Sequence, residues 1–106
     1  MKMIIAIVRP EMCQAVKDAL KEAGVNGLTI THIHGRGSQA GLKFTNRVGE
    51  FVVDELEKTK IEVVIEDDSK EDEVIEAIHN AAETGRPGDG RIIVVPVEKF
   101  LKIRSV

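Results

Sequence analysis

Two glycine-bearing segments of the chain carry residue types that bind anions. Residues 35–37 (Gly-Arg-Gly) follow a predicted strand, and residues 88–91 (Gly-Asp-Gly-Arg) precede another one. Successive backbone N–H groups in such turns form a concave anion site, and a neighbouring arginine adds charge-assisted hydrogen bonds to phosphate. The alternative interpretation is that these are turns whose glycines only supply positive φ.

Two cations near the C-terminal end of the sequence suit the same chemistry. Residues 101–104 alternate between apolar and charged side chains, which predicts a small extra strand with Lys102 and Arg104 on one side. Together with the glycine segments, these cations predict an anion pocket. A solvent-exposed edge strand protected by charge would show the same pattern.

The other reactive residue types form no catalytic constellation. His32 and His34 share one face of a predicted strand, but no Cys, Asp or Glu at ligand spacing accompanies them, so surface histidines are favoured over a metal pair. Neither a serine elbow nor an H-E-x-x-H motif is present, so we predict no catalytic residues and no enzyme. Cys13, the single cysteine, falls among polar positions of a predicted helix and excludes an intrachain disulfide.

Composition limits the class of protein further. The 106 residues suit one domain, and at 42% hydrophobic content they build a thin core that self-association would extend. A net charge of −3 gives no basic footprint for nucleic acid, and three Phe without Trp or Tyr provide no stacking platform for single strands. The apolar run at the start is too short for a membrane span, so we expect a cytoplasmic protein without membrane insertion.

Hydrophobic periodicity predicts the elements that must position these residues. The predicted order is β-α-β-β-α-β, which is the ferredoxin-like α+β sandwich with an antiparallel sheet. Its first and third strands lie in the middle of the sheet and are the most continuously apolar ones here. The predicted strands are 3–8, 28–34, 60–65 and 92–95, and the helices follow Pro10 and Asp67. Between the second and third predicted strands, residues 35–58 show no clear hydrophobic period, and loops of such length are usually functional.

Four segments together resemble the PII nitrogen-regulatory signal-transduction family over essentially the full length. They are MKMIIAIVRPEM at the start, the long segment 35–60, TGRPGDGRI at 84–92 and Lys102-Ile103-Arg104. The long segment resembles the family's T-loop, here about residues 36–57, and TGRPGDGRI resembles its phosphate-gripping loop. The resemblance implies one PII-like domain over residues 1–106.

The resemblance also implies ligands and partners. PII proteins are homotrimers that bind ATP or ADP in clefts between subunits, and with MgATP they bind 2-oxoglutarate at the base of the T-loop. The T-loop then engages or releases an ammonium transporter or an enzyme or regulator of nitrogen metabolism. A PII-like trimer that senses bicarbonate, a metal or another nucleotide is the alternative, with His32 and His34 as its local support. An acylphosphatase-like enzyme would need an anion-cradling loop at residues 8–11, which are too short for one.

Individual residues carry over from the family by position. The implied nucleotide ligands are Thr29, Gly37, Ser38, Glu62, Val64, Gly88, Asp89, Gly90, Arg91, Lys102 and Arg104. The implied 2-oxoglutarate ligands are Gln39, Gly41 and Lys58, of which Gln39 also helps to hold Mg²⁺ with ATP. Arg47 and Phe51 of the T-loop are the implied partner contacts.

The chain departs from the family at positions that control its switches. Ser38 stands where a phosphate-contacting arginine is frequent. Phe51 stands where many bacterial members carry the tyrosine that is uridylylated, and Gly49 where some cyanobacterial members carry a phosphorylated serine. We therefore predict that ligands alone switch this protein.

Overall fold

An antiparallel sheet with two helices on one face forms the frame of the fold. The computed structural model describes residues 1–36, 42–46, 49–53 and 56–104. The strands are β1 (Lys2–Val8), β2 (Thr29–Gly35), β3 (Leu42–Asn46), β4 (Gly49–Val53), β5 (Leu56–Ile65) and β6 (Gly90–Pro96). The helices are α1 (Cys13–Glu22) and α2 (Glu71–Ala82).

The main sheet has the strand order β2-β5-β1-β6, and every neighbouring pair is antiparallel. The two most apolar strands, β1 and β5, therefore lie in the middle as predicted. In one row of the register, Ala6 of β1 lies opposite Ile61 of β5 and Ile92 of β6. The α+β ferredoxin-like arrangement predicted from the sequence is confirmed.

The core lies between the helices and one face of this sheet. Alternate residues of β1 and β5 point into it, and Val16 and Leu20 of α1 meet them from above at a spacing of one helical turn. Each buried aliphatic side chain contributes about 1.5–3 kcal/mol. The fully buried side chains include Ile4, Ala6, Val8, Ile61, Val63, Val74 and Ile78. Cys13, predicted at a polar position, instead packs half-buried against this core.

Two helix entries follow the sequence signals. Pro10 begins a short 3₁₀ turn, Pro10–Met12, that leads into α1, since its fixed φ suits a helical start. Asp67 caps the turn before α2, where its carboxylate accepts a hydrogen bond of 2.9 Å from the Ser69 N–H. Hydrogen bonds from the side chain and the backbone of Ser69 lower the pKa of Asp67.

The structure corrects two predictions about strands. Residues 35–58 were predicted without regular elements, but they contain the hairpin β3–β4 and the start of β5. The polar side chains of Glu57 and Thr59 hide the strand period, whereas pairing with β2 supplies the hydrogen bonds. Residues 101–104 form no strand, because after Pro96 the segment pairs with neither edge in the described part of the chain.

No helix among the described residues is long and apolar enough to cross a membrane.

Candidate functional site

The loop between α2 and β6 is organised around one carboxylate. We call residues 84–90 the Asp89 loop. Oδ2 of Asp89 accepts hydrogen bonds from the N–H groups of Thr84 (2.8 Å) and Gly85 (3.1 Å). Oδ1 accepts from the Thr84 hydroxyl and from Nε of Arg9 at 3.0 Å. Hydrogen bonds hold the pKa of Asp89 well below its usual range. The largest contributions come from Thr84, and smaller ones come from Arg9 and Gly85.

Because both carboxylate oxygens are engaged within the protein, Asp89 holds the loop in shape. The sequence grouped Asp89 with the phosphate ligands, yet a carboxylate repels a phosphate. Its geometry indicates a positioning residue, which sets the direction of the neighbouring backbone N–H groups.

Two cationic side chains donate hydrogen bonds to backbone carbonyls of the Asp89 loop. Nη2 of Arg9 donates to the Pro87 carbonyl at 2.6 Å, and Nζ of Lys58 donates to the Gly88 carbonyl. In a trans peptide the N–H points opposite to the C=O, so the N–H groups of Gly88 and Asp89 point away from these cations. This is the arrangement that an anion-binding turn needs.

Lys58 lies in a partly buried and positively charged setting. Burial lowers its pKa first, and the neighbouring charge of Arg9 lowers it further. An anion bound beside Lys58 and Arg9 would relieve both effects, so these two cations favour an anionic ligand.

The glycines of the Asp89 loop are required by its backbone. Gly88 and Gly90 have φ of +91° and +118°, values that other residues rarely adopt. A Cβ added at Gly90 would lie 1.8 Å from the Ile7 carbonyl oxygen, where no side chain fits. The sequence left open whether these glycines only supply positive φ in turns. The structure shows that Gly90 also allows the loop to approach β1 closely.

A second concave site lies beside β2 and β5. We call it the Thr29 cleft, and it has a volume of about 760 Å³. Thr29, Glu62, Val64 and Lys102, four of the residues implied for nucleotide binding, all line it. Its wall combines apolar side chains with a few polar and charged groups, which is the usual composition of small-molecule sites.

Thr29 of the cleft and Gly90 of the Asp89 loop belong to the two edge strands of the sheet, β2 and β6. Thr29 of β2 pairs with Glu62, which lies opposite Ile5, which in turn lies opposite Ile93 of β6. Three strand spacings of about 4.8 Å separate the two edges by about 14 Å. One chain therefore divides the implied nucleotide ligands into two separate groups.

Other predicted site residues stand apart from both groups or outside the described residues. Arg91, the second residue of β6, directly follows the Asp89 loop and is exposed, as is Arg104 in the C-terminal segment. Phe51 lies in β4 with its backbone opposite Phe44. The predictions for Gly37, Ser38, Gln39, Gly41 and Arg47 fall outside the described residues.

Sequence reasoning missed two residues that hold Asp89 in place. Arg9 and Thr84 were noted in segments that resemble the PII family, but neither received a role. Arg9 lies 80 positions from Asp89, so no local spacing links them. The only sequence signal was a charged residue that precedes Pro10 at the end of a central strand.

The histidines lie on the surface. His32 and His34 are exposed on β2, and Nε2 of His34 lies 4.0 Å from Oε1 of Glu57. His79 is exposed on α2, 3.9 Å from Glu83. Over residues 1–36, 42–46, 49–53 and 56–104, no three His, Cys, Asp or Glu side chains come together as a metal site.

Comparison with known proteins connects this geometry to a family. The model of the family described as "Nitrogen regulatory protein P-II" matches residues 1–106. The chain belongs to the P-II family. The resemblance seen in the sequence is thereby confirmed, and the Asp89 loop and the Thr29 cleft are features of a P-II protein.

Relatives from bacteria and archaea agree with this assignment. A "Nitrogen regulatory protein P-II" of Azospirillum brasilense is 50% identical over 99% of this chain and 93% of its own. "Nitrogen regulatory protein P-II 2" of Methanothermobacter thermautotrophicus is 44% identical over 99% and 90%, respectively. "Nitrogen regulatory protein GlnK2" of Haloferax mediterranei is 44% identical over 98% and 84%. All three are named as regulators, so this P-II chain belongs to nitrogen signalling.

Proposed function

We propose that this P-II protein reports nitrogen status by binding ATP or ADP between neighbouring copies of a homotrimer. The division of the nucleotide ligands between two edges of the sheet carries the proposal. The Thr29 cleft of one copy supplies the base and ribose contacts, and the Asp89 loop of the next copy supplies backbone N–H groups to the phosphates. Neither half reaches the other within one chain.

The uncovered surface of the single chain supports self-association. On the sheet face opposite the helices, Ile5 and Ile7 are half-buried and Ile93 is 38% exposed. In the C-terminal segment, Leu101 is 81% exposed and Ile103 fully exposed. An interface that joins one edge of a copy to the other edge of the next is head-to-tail, and such interfaces form rings when the rotation between copies closes. The family resemblance supports a ring of three copies, which is the state that we propose.

The cations around the proposed site suit the phosphates and a second anion. Lys102 lines the Thr29 cleft, and Arg91 follows the Asp89 loop directly. Mg²⁺ would bind through phosphate oxygens with few protein ligands, of which Gln39 is the proposed one. Lys58 and Arg9, with Gln39 and Gly41, would hold the carboxylates of 2-oxoglutarate at the base of the T-loop.

The proposed output is a change in the T-loop that engages or releases a partner. The partner is an ammonium transporter or a nitrogen-metabolism enzyme, contacted through Arg47 and Phe51. The protein would act by binding alone, in the cytoplasm, without a catalytic residue and without contact with nucleic acid.

Calorimetry and light scattering test the proposal directly. We expect ATP and ADP to bind competitively, and the particle in solution to have three times the 11.6 kDa mass of the chain. Lys102→Gln should lower ADP affinity by about tenfold. Lys99→Gln, at an exposed position of the same segment, is the matched control and should bind like the wild type.

Two results would contradict the proposal. A monomer at micromolar concentration would remove the two-copy site. Absence of both ATP and ADP binding would favour the alternative trimeric sensor of bicarbonate, a metal or another nucleotide.

A further inference from the structure

Phe100 has an unusual position for an aromatic side chain in this protein. The chain has three Phe and neither Trp nor Tyr, so aromatic surface is scarce. Phe100 nevertheless stays 41% exposed and forms part of the wall of the Thr29 cleft. Burial in the core would stabilise the fold more, so its position calls for another reason.

The surroundings of Phe100 suit the base of a nucleotide. Met3, Leu28 and Val64 provide further apolar wall in the same cleft, while Thr29 and Glu62 provide hydrogen-bonding groups. A purine base needs this combination, because its faces are apolar and its edge is polar. An aromatic ring packs against such a face with more contact than an aliphatic side chain of similar size.

The spacing of Phe100 and Lys102 fits one nucleotide. Both residues line the Thr29 cleft, and two residues of chain span at most about 7 Å. That span leaves room for a ribose between a base at Phe100 and the first phosphate at Lys102. One short segment therefore offers a base contact and a phosphate contact.

We propose that Phe100 packs against the purine base in the Thr29 cleft and sets the preference for purine over pyrimidine nucleotides. This inference rests on the proposed nucleotide function. A purine has the larger stacking surface, so removal of the ring lowers purine affinity more than pyrimidine affinity.

Calorimetry with ADP, CDP and inorganic tripolyphosphate tests the role of the ring. We expect Phe100→Ala to weaken ADP binding on the order of tenfold. The ratio of ADP to CDP affinity should fall in both Phe100→Ala and Phe100→Leu, whereas tripolyphosphate affinity should stay unchanged. Lys99→Ala, at the neighbouring exposed position outside the cleft lining, is the matched control and should keep the wild-type ratio.

The results separate this inference from the proposed function. An unchanged ADP-to-CDP ratio in both Phe100 variants overturns the inference, even when the wild type binds ADP. A wild type that binds no adenine nucleotide overturns the proposed function itself. Equal melting temperatures of the variants show that the fold is intact, as expected for a side chain outside the buried core.

A fluorescence experiment provides a second measurement. Since the chain has no Trp, Phe100→Trp introduces the only indole group. ADP should change its emission, and tripolyphosphate should change it less. Lys99→Trp, at an exposed position outside the cleft lining, is the matched reporter and should not respond to ADP. An equal response at the two positions, or no response at position 100, would contradict base packing.

Discussion

At the scale of single residues, the chemistry of the Asp89 loop depends on which of its groups are already hydrogen-bonded within the protein. Asp89 looks like a phosphate ligand in the sequence, but its carboxylate is bound to Thr84, Gly85 and Arg9. Arg9 and Lys58 in turn hold the carbonyls of Pro87 and Gly88. The groups that the Asp89 loop can offer to an anion are therefore backbone N–H groups, and the charged side chains orient them.

Acidification should weaken what Asp89 contributes to stability. Its folded pKa lies below the ordinary 3.8, so the stabilisation is present above pH 3.8 and is lost as the pH falls through the folded pKa. Asp89→Asn should therefore be less stable than the wild type at pH 7, and the difference should narrow below pH 3.8. Chemical unfolding between pH 7 and pH 3 measures this, with Glu98→Gln at an exposed site as control. A constant difference across this range would refute the assigned role.

A substitution at Gly90 tests whether the Asp89 loop must approach β1 closely. Gly90→Ala combines a φ of +118° with a Cβ only 1.8 Å from the Ile7 carbonyl oxygen. We expect a loss of about 3 kcal/mol or more in unfolding free energy. Gly27→Ala is the matched control, because its Cβ would enter open space, and should cost no more than about 1 kcal/mol. Equal denaturation midpoints would show that the loop moves freely.

At the scale of elements, strand pairing shapes the long segment between β2 and the second half of β5. The hairpin β3–β4 places the backbone of Phe51 opposite Phe44, and β5 runs for 10 residues from Leu56. The predicted partner-binding segment is therefore partly a hairpin, with strand register to position its residues. Backbone pairing fixes this shape independently of hydrophobic alternation.

The hairpin is not expected to carry a nucleotidyl group. Attachment to tyrosine needs a phenol oxygen, which Phe51 lacks, and the chain contains no Tyr. We expect ligands alone to switch the protein. Intact-mass and peptide mass spectrometry of protein from nitrogen-starved and ammonium-fed cells should show no nucleotidyl increment. A phosphate on Ser38 or Thr45 would instead indicate another covalent switch.

At the scale of the whole molecule, Thr29 and Gly90 lie on the two edge strands of one sheet. The nucleotide that we propose would join their surroundings between two copies, so its binding would also strengthen an interface. The cations Lys58 and Arg9 contact the Asp89 loop and are also the proposed 2-oxoglutarate ligands. Effector and nucleotide should therefore influence each other through the side chains that orient the Asp89 loop.

This arrangement predicts reciprocal coupling between the two ligands. We expect 2-oxoglutarate to bind measurably only with MgATP. It should raise the affinity for ATP by the same factor by which ATP raises the affinity for 2-oxoglutarate, typically about 5–150-fold. Gln39→Ala should abolish effector binding and leave ADP binding nearly intact. Calorimetric titrations of each ligand with and without the other decide this. Equal 2-oxoglutarate affinity with and without MgATP would refute the coupling.

The sequence by itself determined the β-α-β-β-α-β order of the sandwich without the hairpin β3–β4, the central position of β1 and β5 and the family. These follow from local periodicity and short motifs, which each segment expresses on its own. Only the tertiary structure decided the role of Asp89, the separation of Thr29 from Gly90 and the place of Phe100 in the cleft. Arg9 and Asp89 are 80 positions apart, and Thr29 and Gly90 lie on edges that no local pattern relates. Such long-range neighbours are fixed by strand order and packing, so they become visible only when the sheet is assembled.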